Sequence, residues 1–322
     1  MEDFYRDNEG LIYDRVKWHT RKKHAFIKSY LDIWVENVRN HPPTLDIFDL
    51  FASTGLCYCD DSAKYKLGEP TWSGSAILAA ECLEHYSNGQ KLFLNTFHPK
   101  TAICQTQKAN LERLLRRYSR VKPIITTLPI DAAVDEARTH LSPTYPSIWI
   151  LDPYKSSDLP WELVEKIGKF RGQYQTKSGQ VKIRKPEMII NLMTYGLQMN
   201  IDINPHVVSH ALGMEEAEWR PKYDVLMKKY DNTRKALIDL YAEKLTRLYE
   251  KPPIVIEVNT TEEAAIVYCL FLCTDSNAGH YLMKLQGLKD YRSWEYGWKA
   301  DAKRISAEKK IPEGQSRLFD NF

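Results

Sequence analysis

Two short stretches decide the fold, Asp46-Ile-Phe-Asp-Leu-Phe-Ala-Ser-Thr-Gly55 and Ile148-Trp-Ile-Leu-Asp-Pro-Tyr154. The first is typical of a buried strand that runs into a turn of small residues. The second is typical of a buried strand that ends at an acid and a proline-aromatic pair. Ligands of open α/β sheets bind outside the carboxyl ends of the parallel strands. The two stretches therefore predict a cofactor cleft at that edge of a sheet.

The pattern of apolar residues predicts a complete α/β sheet around these two strands. Segments of helical periodicity separate most of the apolar runs, which favours βαβ units and a parallel sheet. We predict a Rossmann-like sheet of seven mostly parallel strands, the last of which can be antiparallel. The runs of strand length are 45–51, 91–95, 123–127, 147–151, 187–193, 255–258 and 264–273.

Changes in composition along the chain predict five units. They are an N-terminal helical segment (1–44), a Rossmann-like core (45–200), a helical insertion (201–252), closing strands and a helix (253–290), and a charged tail (291–322). From residue 290 onward we expect loose order until the last residues.

The overall composition is that of a globular protein of 322 residues with a formal net charge of +3. That charge is too small to indicate nucleic-acid binding by itself. Six scattered cysteines without a CxxC pair predict reduced thiols and no metal site. The opening is charged, and the apolar runs are shorter than the roughly 20 residues of a membrane-spanning helix. We expect a cytoplasmic protein without membrane association.

The turn after the first strand provides candidate cofactor contacts. Asp49 closes the strand, and Phe51, Ala52, Ser53 and Gly55 follow where a backbone passes close to a ligand. An ordinary strand-to-helix turn is the alternative interpretation.

The ends of the next two strands carry further cofactor candidates. Asn95 stands where nucleoside-binding sheets usually place an acid for the ribose hydroxyls, and its amide lacks the charge-assisted strength of a carboxylate. Asp131 follows the third strand, where a polar group can meet an adenine edge. A capped loop explains Asp131 equally well.

Asp152 and Tyr154 are the catalytic candidates. The carboxylate can accept hydrogen bonds from the amino group of a planar base while the aromatic ring stacks on that base, as enzymes acting on extruded bases require. The alternative is a turn that caps the helix beginning near Pro160.

Clusters of basic residues accompanied by aromatic residues predict a groove that follows a nucleic-acid backbone. Solvated helix faces are the alternative. The candidates are Arg21, Lys22, Lys23, Arg116, Arg117, Lys182, Arg184 and Lys185.

The C-terminal sequence Gln315-Ser-Arg-Leu-Phe-Asp-Asn-Phe322 is similar to the peptides through which replication and repair proteins bind a sliding clamp. The similarity implies that Gln315 is hydrogen-bonded beside a hydrophobic pocket, which Leu318, Phe319 and Phe322 fill. A tail that folds back on its own domain is the alternative.

Taken together, these residues resemble the three-Cys-motif partner protein family (TcmP), which is related to class I S-adenosylmethionine-dependent methyltransferases. The resemblance implies a methyltransferase-type fold, S-adenosylmethionine as cofactor, and a radical-SAM-like partner protein that carries the three cysteines. It rests on the stretches 24–31, 49–55, 74–75, 151–154, 159–161 and 189–191.

Two hypotheses about function follow. The first is methyl transfer to an amino group of a nucleic-acid base in DNA or RNA modification or repair. The second is a non-catalytic repair scaffold that a sliding clamp recruits through the C-terminal peptide. A nuclease is disfavoured, because no acidic constellation for a metal is visible in the sequence.

Overall fold

The computed structural model describes residues 4–38, 45–61, 69–85, 90–142, 144, 146–175, 179–259, 266–277, 279–281, 283 and 292–295. Its strands are β1 (Phe4–Arg6), β2 (Ile12–Arg15), β3 (Asp46–Asp49), β4 (Leu56–Tyr58), β5 (Thr71–Ser73), β6 (Gln90–Asn95), β7 (Val121–Thr126), β8 (Ser147–Leu151), β9 (Gly172–Gln175), β10 (Val181–Arg184), β11 (Glu187–Leu192), β12 (Ile254–Asn259), β13 (Ile266–Cys273) and β14 (Arg292–Glu295). Its helices include α1 (Trp18–Val38), α2 (Ser75–Glu84), α3 (Thr101–Leu115), α4 (Ile130–His140), α5 (Trp161–Gly168), α6 (Thr194–Asn200), α7 (Pro205–Leu212), α8 (Glu216–Tyr230) and α9 (Thr233–Leu248).

The central sheet has the order β14-β12-β13-β11-β8-β3-β6-β7 within the described residues. Strands β7, β6, β3, β8 and β11 are parallel, and β13 lies antiparallel between β11 and β12. The α/β, Rossmann-like, methyltransferase-type sheet predicted from the sequence is confirmed, with all seven predicted strands present.

The eighth strand, β14, was not predicted. It pairs antiparallel with β12 at the edge of the sheet, so the expectation of loose order from residue 290 onward is wrong for Arg292–Glu295. The edge of β12 offers backbone hydrogen bonds to residues 292–295. The charged local sequence does not indicate this pairing.

Alternating side chains of the buried strands fill two apolar layers, one on each face of the sheet. Ile47 and Ile148 belong to one layer, whereas Phe48 and Trp149 belong to the other. Phe48 and Trp149 are stacked, with ring centroids 4.3 Å apart. Since parallel strands are covered by helices on both faces, near-continuous apolar runs are what such a sheet requires.

The helices of the predicted insertion pack on the same face as Trp149. Tyr241 of α9 contacts Phe271 of β13, with ring centroids 5.1 Å apart, and it meets Trp161 of α5 edge to face. These helices therefore contribute to the core of the sheet.

The N-terminal segment contains the predicted long helix, α1, but it begins with the hairpin β1–β2, which the sequence did not indicate. A second hairpin, β4–β5, lies between Gly55 and Gly74, and the two hairpins form the sheet β1-β2-β4-β5. Asn110 of α3 holds the first hairpin, since its amide accepts from Ile12 N and donates to Ile12 O. Strands of three or four residues carry too little periodicity to be predicted locally.

Candidate functional site

The candidate site lies at the carboxyl edge of the central sheet, where β3 pairs with β6 on one side and with β8 on the other. Asp49 ends β3 in register with Ile150, and Asp152 follows the end of β8. Ligands of doubly wound sheets bind at such a switch point. We call the space bounded by Asp49, Ser53, Asp152 and Tyr154 the switch-point cleft.

Asp49 is fully buried and hydrogen-bonded. Ser75 Oγ, at the start of α2, donates to Oδ2 at 2.6 Å, and Phe51 N donates to Oδ1 at 3.0 Å. Burial raises the pKa of Asp49 to about 6, although the Ser75 and Phe51 hydrogen bonds act in the opposite direction. The carboxylate therefore ties the strand to α2 and is mostly charged at neutral pH.

The turn after β3 depends on Gly55, which has φ of +79°. A Cβ at this position would lie 2.6 Å from Leu111 Cδ2, so both the conformation and the available space require glycine. Gly74 N donates to Gly55 O at 2.8 Å and thereby closes the inserted β4–β5 hairpin. Ser53 also has a positive φ, +48°, which serine adopts less readily than glycine.

Asp152 forms a nearly buried ion pair with Lys23 of α1. Lys23 Nζ lies 2.6 Å from Asp152 Oδ1 and 2.5 Å from Oδ2, and the two side chains are 9% and 11% exposed. Asn191, at the end of β11, donates from Nδ2 to Asp152 Oδ1 at 2.8 Å. Asn191 Oδ1 is buried and has no hydrogen-bond partner within the described residues. An acceptor is therefore left unused beside the carboxylate.

Tyr154 follows Asp152 at the mouth of the cleft and is 49% exposed. Desolvation raises the pKa of its phenol well above the usual value, and the Asp14 and Asp152 carboxylates raise it further. The residue is therefore half exposed, and its hydroxyl interacts with Asp14, Ser53 and Asp152. A half-exposed aromatic ring can stack on a planar ligand.

Asp14 of β2 brings a third carboxylate to the cleft. Ser53 Oγ donates to Oδ1 at 2.7 Å, and Thr54 N donates to Oδ2 at 3.3 Å. Burial raises the pKa of Asp14 to about 6, partly offset by these hydrogen bonds. The N-terminal hairpin thus contacts the turn after β3 through an acid.

His24 is buried beside Lys23 and is held as a neutral imidazole. Trp72 Nε1 donates to His24 Nδ1 at 3.0 Å, which assigns the proton of the ring to Nε2. Burial lowers the pKa of His24 to about 3, with the Lys23 ammonium acting in the same direction. This imidazole therefore stays neutral near pH 7. Its contact is structural, because the hydrogen bond from Trp72 joins α1 to strand β5.

No family model matches this sequence, and no curated protein matches it. Among solved structures, one similar chain is a DUF519 protein from Legionella pneumophila str. Philadelphia 1, with 10% identity, a TM-score of 0.46, and coverage of 87% of this chain and 98% of that chain. Another is a probable spermidine synthase from Corynebacterium glutamicum ATCC 13032, with 9% identity, a TM-score of 0.41, and coverage of 95% and 89%. Scores this low carry no argument about function, and the fold assignment rests on strand order and direction.

The other predicted cofactor contacts occupy different environments. Asn95 is buried, accepts from Thr126 Oγ1 at 2.9 Å and Leu128 N at 3.0 Å, and donates to Leu128 O at 3.0 Å. A ribose hydroxyl could bind Asn95 only by replacing Thr126 or Leu128 as its hydrogen-bond partner. Ala52 is buried in the turn, and Asp131 is exposed in the first turn of α4.

The first basic cluster is divided between surface and interior. Arg21 donates to Glu69 O at 3.0 Å and lies over the Trp72 ring, and Lys22 lies over the Trp18 ring. Lys23 is buried inside the cleft, and its ammonium is already paired with Asp152. The structure therefore places Lys23 in the site and not on a basic surface.

The remaining basic residues lie away from the cleft. Arg116 and Arg117 follow α3, which begins beyond β6 and runs back to the opposite edge of the sheet. Lys182 and Arg184 belong to β10, and Lys185 lies between β10 and β11. Arg184 and Lys185 therefore lie near the amino end of β11, at the edge of the sheet opposite the cleft. These two basic clusters therefore lie away from the cleft.

Lys185 forms an ion pair with Asp275 at 2.6 Å, so its ammonium is already occupied and is less suited to bind a phosphate.

All six cysteines are buried and free. No group of residues suited to a metal ion, and no helix long and apolar enough to span a membrane, occurs in the described ranges. The predicted clamp peptide, with Gln315, Leu318, Phe319 and Phe322, lies outside the described residues.

Three residues of the cleft were not predicted to lie there, and one of them, Lys23, was assigned to a basic cluster instead. Asn191 ends a parallel strand, so the rule that selected Asp49 would have found it. Lys23 precedes the buried residues Phe26 and Ile27 by three and four positions and thus shares the apolar face of α1. Asp14 has no comparable signal, because the hairpin that carries it is recognised only through its tertiary contacts.

Proposed function

We propose that this protein binds S-adenosylmethionine in the switch-point cleft and transfers its methyl group to an amino group of a nucleic-acid base. The observation that carries the proposal is the convergence of Asp49 and Asp152, from the adjacent strands β3 and β8, at the topological switch point. Membership of the three-Cys-motif partner (TcmP) family, with a radical-SAM-like partner protein, is part of this proposal and rests on the sequence motifs.

The charge of the cleft fits a positively charged cofactor. Asp14, Asp49 and Asp152 contribute three carboxylates, and Lys23 forms an ion pair with only the last of them in the part of the chain that is described. Unpaired buried charge is costly, so a cationic ligand would stabilise this arrangement. The cofactor supplies an electrophilic methyl group on a sulfonium ion.

The protein's part in the reaction is to orient the acceptor amine. The amine can donate one N–H to Asp152 and the other to Asn191 Oδ1, a buried acceptor that has no partner among the described residues. Tyr154 offers its half-exposed ring to the plane of the base. Holding the amine nitrogen in line with the methyl group provides the acceleration, and no covalent protein intermediate is needed. The amine would release one proton to water as its new N–C bond forms and the methyl C–S bond of the sulfonium breaks, which leaves S-adenosylhomocysteine.

Calorimetric titration with S-adenosylmethionine and S-adenosylhomocysteine tests the cofactor site. We expect saturable binding by the native protein and at least tenfold weaker binding by Asp49→Asn. Asp46→Asn is the matched control, because Asp46 is a buried acid at the opposite end of the same strand. An absence of binding to folded native protein at millimolar ligand would refute the cofactor proposal.

Methyl transfer from radiolabelled cofactor to single-stranded DNA and RNA oligonucleotides tests the acceptor. Asp152→Asn should abolish transfer and leave cofactor binding within a few-fold of the native value. Asp158→Asn, at a partly exposed acid in the following turn, should retain transfer. Transfer by correctly folded Asp152→Asn would remove Asp152 from the mechanism.

A non-catalytic scaffold is the second candidate function. The Lys23–Asp152 ion pair favours it, because this carboxylate is already neutralised and bonded within the protein. The clamp-like C-terminal sequence would then recruit the scaffold to a repair site. Clamp binding by a protein that binds no cofactor would support this candidate.

A further inference from the structure

A polar cluster joins the N-terminal hairpin, the turn after β3 and helix α3. Its members are Asp14, Ser53, Thr54 and Gln107. Ser53 is 6% exposed, Thr54 is fully buried, and Gln107 is 2% exposed. Gln107 Nε2 donates to Ser53 Oγ at 3.1 Å, and Ser53 Oγ donates to Asp14 Oδ1 at 2.7 Å.

The direction of these hydrogen bonds determines which atoms are left unpaired. Ser53 gives its single hydroxyl proton to Asp14, so it can only accept from Gln107. The amino end of the Gln107 amide must therefore face Ser53. Its Oε1 atom is left buried with no hydrogen-bond partner within the described residues. A buried acceptor without a partner is costly unless a ligand or water supplies the donor.

Asp14 is the second acceptor of the cluster, and the Ser53 hydroxyl links it to Gln107 by hydrogen bonds. No lysine or arginine in the described part of the chain forms an ion pair with Asp14, and its hydrogen-bond partners are neutral. The carboxylate of Asp14 therefore suits an ammonium ligand, and no cation of the described residues pairs with it.

Attachment of the hairpin does not account for this acid. Asn110 already holds the hairpin through Ile12, and it also donates to Thr54 O at 2.8 Å. These neutral amide contacts dock the hairpin on α3 without burying a charge. A carboxylate at Asp14 carries a desolvation cost that an asparagine would avoid.

We propose that Asp14 and Gln107 bind the primary ammonium group of the ligand, which is that of the aminocarboxypropyl arm of S-adenosylmethionine. This assignment rests on the proposed cofactor function. It makes the N-terminal hairpin part of the binding site, and it makes Asp14 a residue that distinguishes the amino-acid cofactor from simple adenine nucleosides. Two acceptors suit an ammonium, which has three N–H donors.

Calorimetry of the full chain with two ligands tests the assignment. The ligands are S-adenosylhomocysteine and its analogue in which hydrogen replaces the α-amino group. The native protein should bind the amino compound about tenfold or more tightly than the analogue. Asp14→Asn should bind both compounds about equally, and Gln107→Met should reduce the preference severalfold. Glu9→Gln, an exposed acid of the same hairpin, should keep the native preference.

The possible results separate this assignment from the proposed function. Equal discrimination by native protein and Asp14→Asn overturns the ammonium site and leaves the cofactor function standing. No binding of either ligand by the native protein overturns both. If circular dichroism finds Asp14→Asn unfolded, Gln107→Met decides the question, and an unchanged preference in that variant overturns the assignment.

Discussion

Lys23 and Asp152 form an ion pair at 2.5 Å across the cleft, although 129 residues of sequence separate them. The pair joins the second turn of α1 to the carboxyl end of β8. About two turns further along the same helix, Tyr30 donates to Glu187 Oε2 at 2.6 Å, at the amino end of β11. Helix α1 is therefore held to both edges of the sheet by polar contacts.

Removing the lysine should destabilise the protein strongly. Lys23→Met leaves the Asp152 carboxylate almost buried and unpaired, which costs about 3–5 kcal/mol. Urea unfolding followed by circular dichroism measures the loss. Lys22→Met, at an exposed neighbour whose ammonium lies over the Trp18 ring, should change the free energy of unfolding by no more than about 1 kcal/mol.

The double variant Lys23→Met/Asp152→Asn should recover part of the stability, because it removes both charges. Equal stability of Lys23→Met and Lys22→Met would show that the pair contributes nothing.

Asp49 should make the protein less stable as pH rises. Burial raises its pKa from 3.8 to about 6, so the folded state holds the proton more tightly than the unfolded state. Its contribution to the free energy of unfolding is therefore present below pH 4 and is lost as pH rises to about 6. The stability of native protein relative to Asp49→Asn should fall by roughly 2–3 kcal/mol between pH 4 and pH 7.

Asp7→Asn provides a control of opposite sign. Desolvation acts to raise the pKa of Asp7, but hydrogen bonds from Tyr13 and Leu11 outweigh it and lower that pKa. The stability of native protein relative to Asp7→Asn should rise with pH over the acidic range. A difference for Asp49→Asn that also rises with pH would contradict the environment assigned to Asp49.

Gly55→Ala should cost more stability than Gly10→Ala. The two glycines have nearly the same φ, +79° and +80°, so the conformational strain is matched. A Cβ on Gly55 meets Leu111 at 2.6 Å, whereas a Cβ on Gly10 finds its nearest contact at 4.0 Å. The added overpacking should cost about 1–3 kcal/mol beyond the strain. An equal loss of unfolding free energy in both variants, measured by denaturant unfolding, would show that the Leu111 side chain moves aside without destabilising the protein.

Phe319→Ala should abolish retention of the full chain on an immobilised sliding clamp. The aromatic anchor of such a peptide fills a hydrophobic pocket, so truncation removes most of the contact energy. Asp320→Ala, next to the anchor, should retain binding. Undiminished retention of Phe319→Ala would reject clamp recruitment through this peptide, while the methyltransferase proposal would be tested separately by cofactor binding.

The sequence was most informative where the signal is local. The run Ile148-Trp-Ile-Leu151 is buried on both faces, as its unbroken apolar character predicted. Gly55 marked a turn that only glycine can make, and Asp49 and Asp152 lie together because both end parallel strands. Hairpin β4–β5 was missed because its three-residue strands carry no such pattern.

The sequence by itself determined seven strands of the central sheet, their mostly parallel direction and the edge of the sheet where Asp49 and Asp152 lie, since apolar periodicity and strand polarity are properties of the local chain. Only the tertiary structure decided that Lys23 neutralises Asp152 and that Asp14 reaches Ser53. These contacts join segments that are distant in sequence, and they form because α1 and the first hairpin bury their own apolar surfaces against the sheet and α3. The ionic and hydrogen-bond partners of Asp152 and Asp14 are therefore decided by packing that no local pattern encodes.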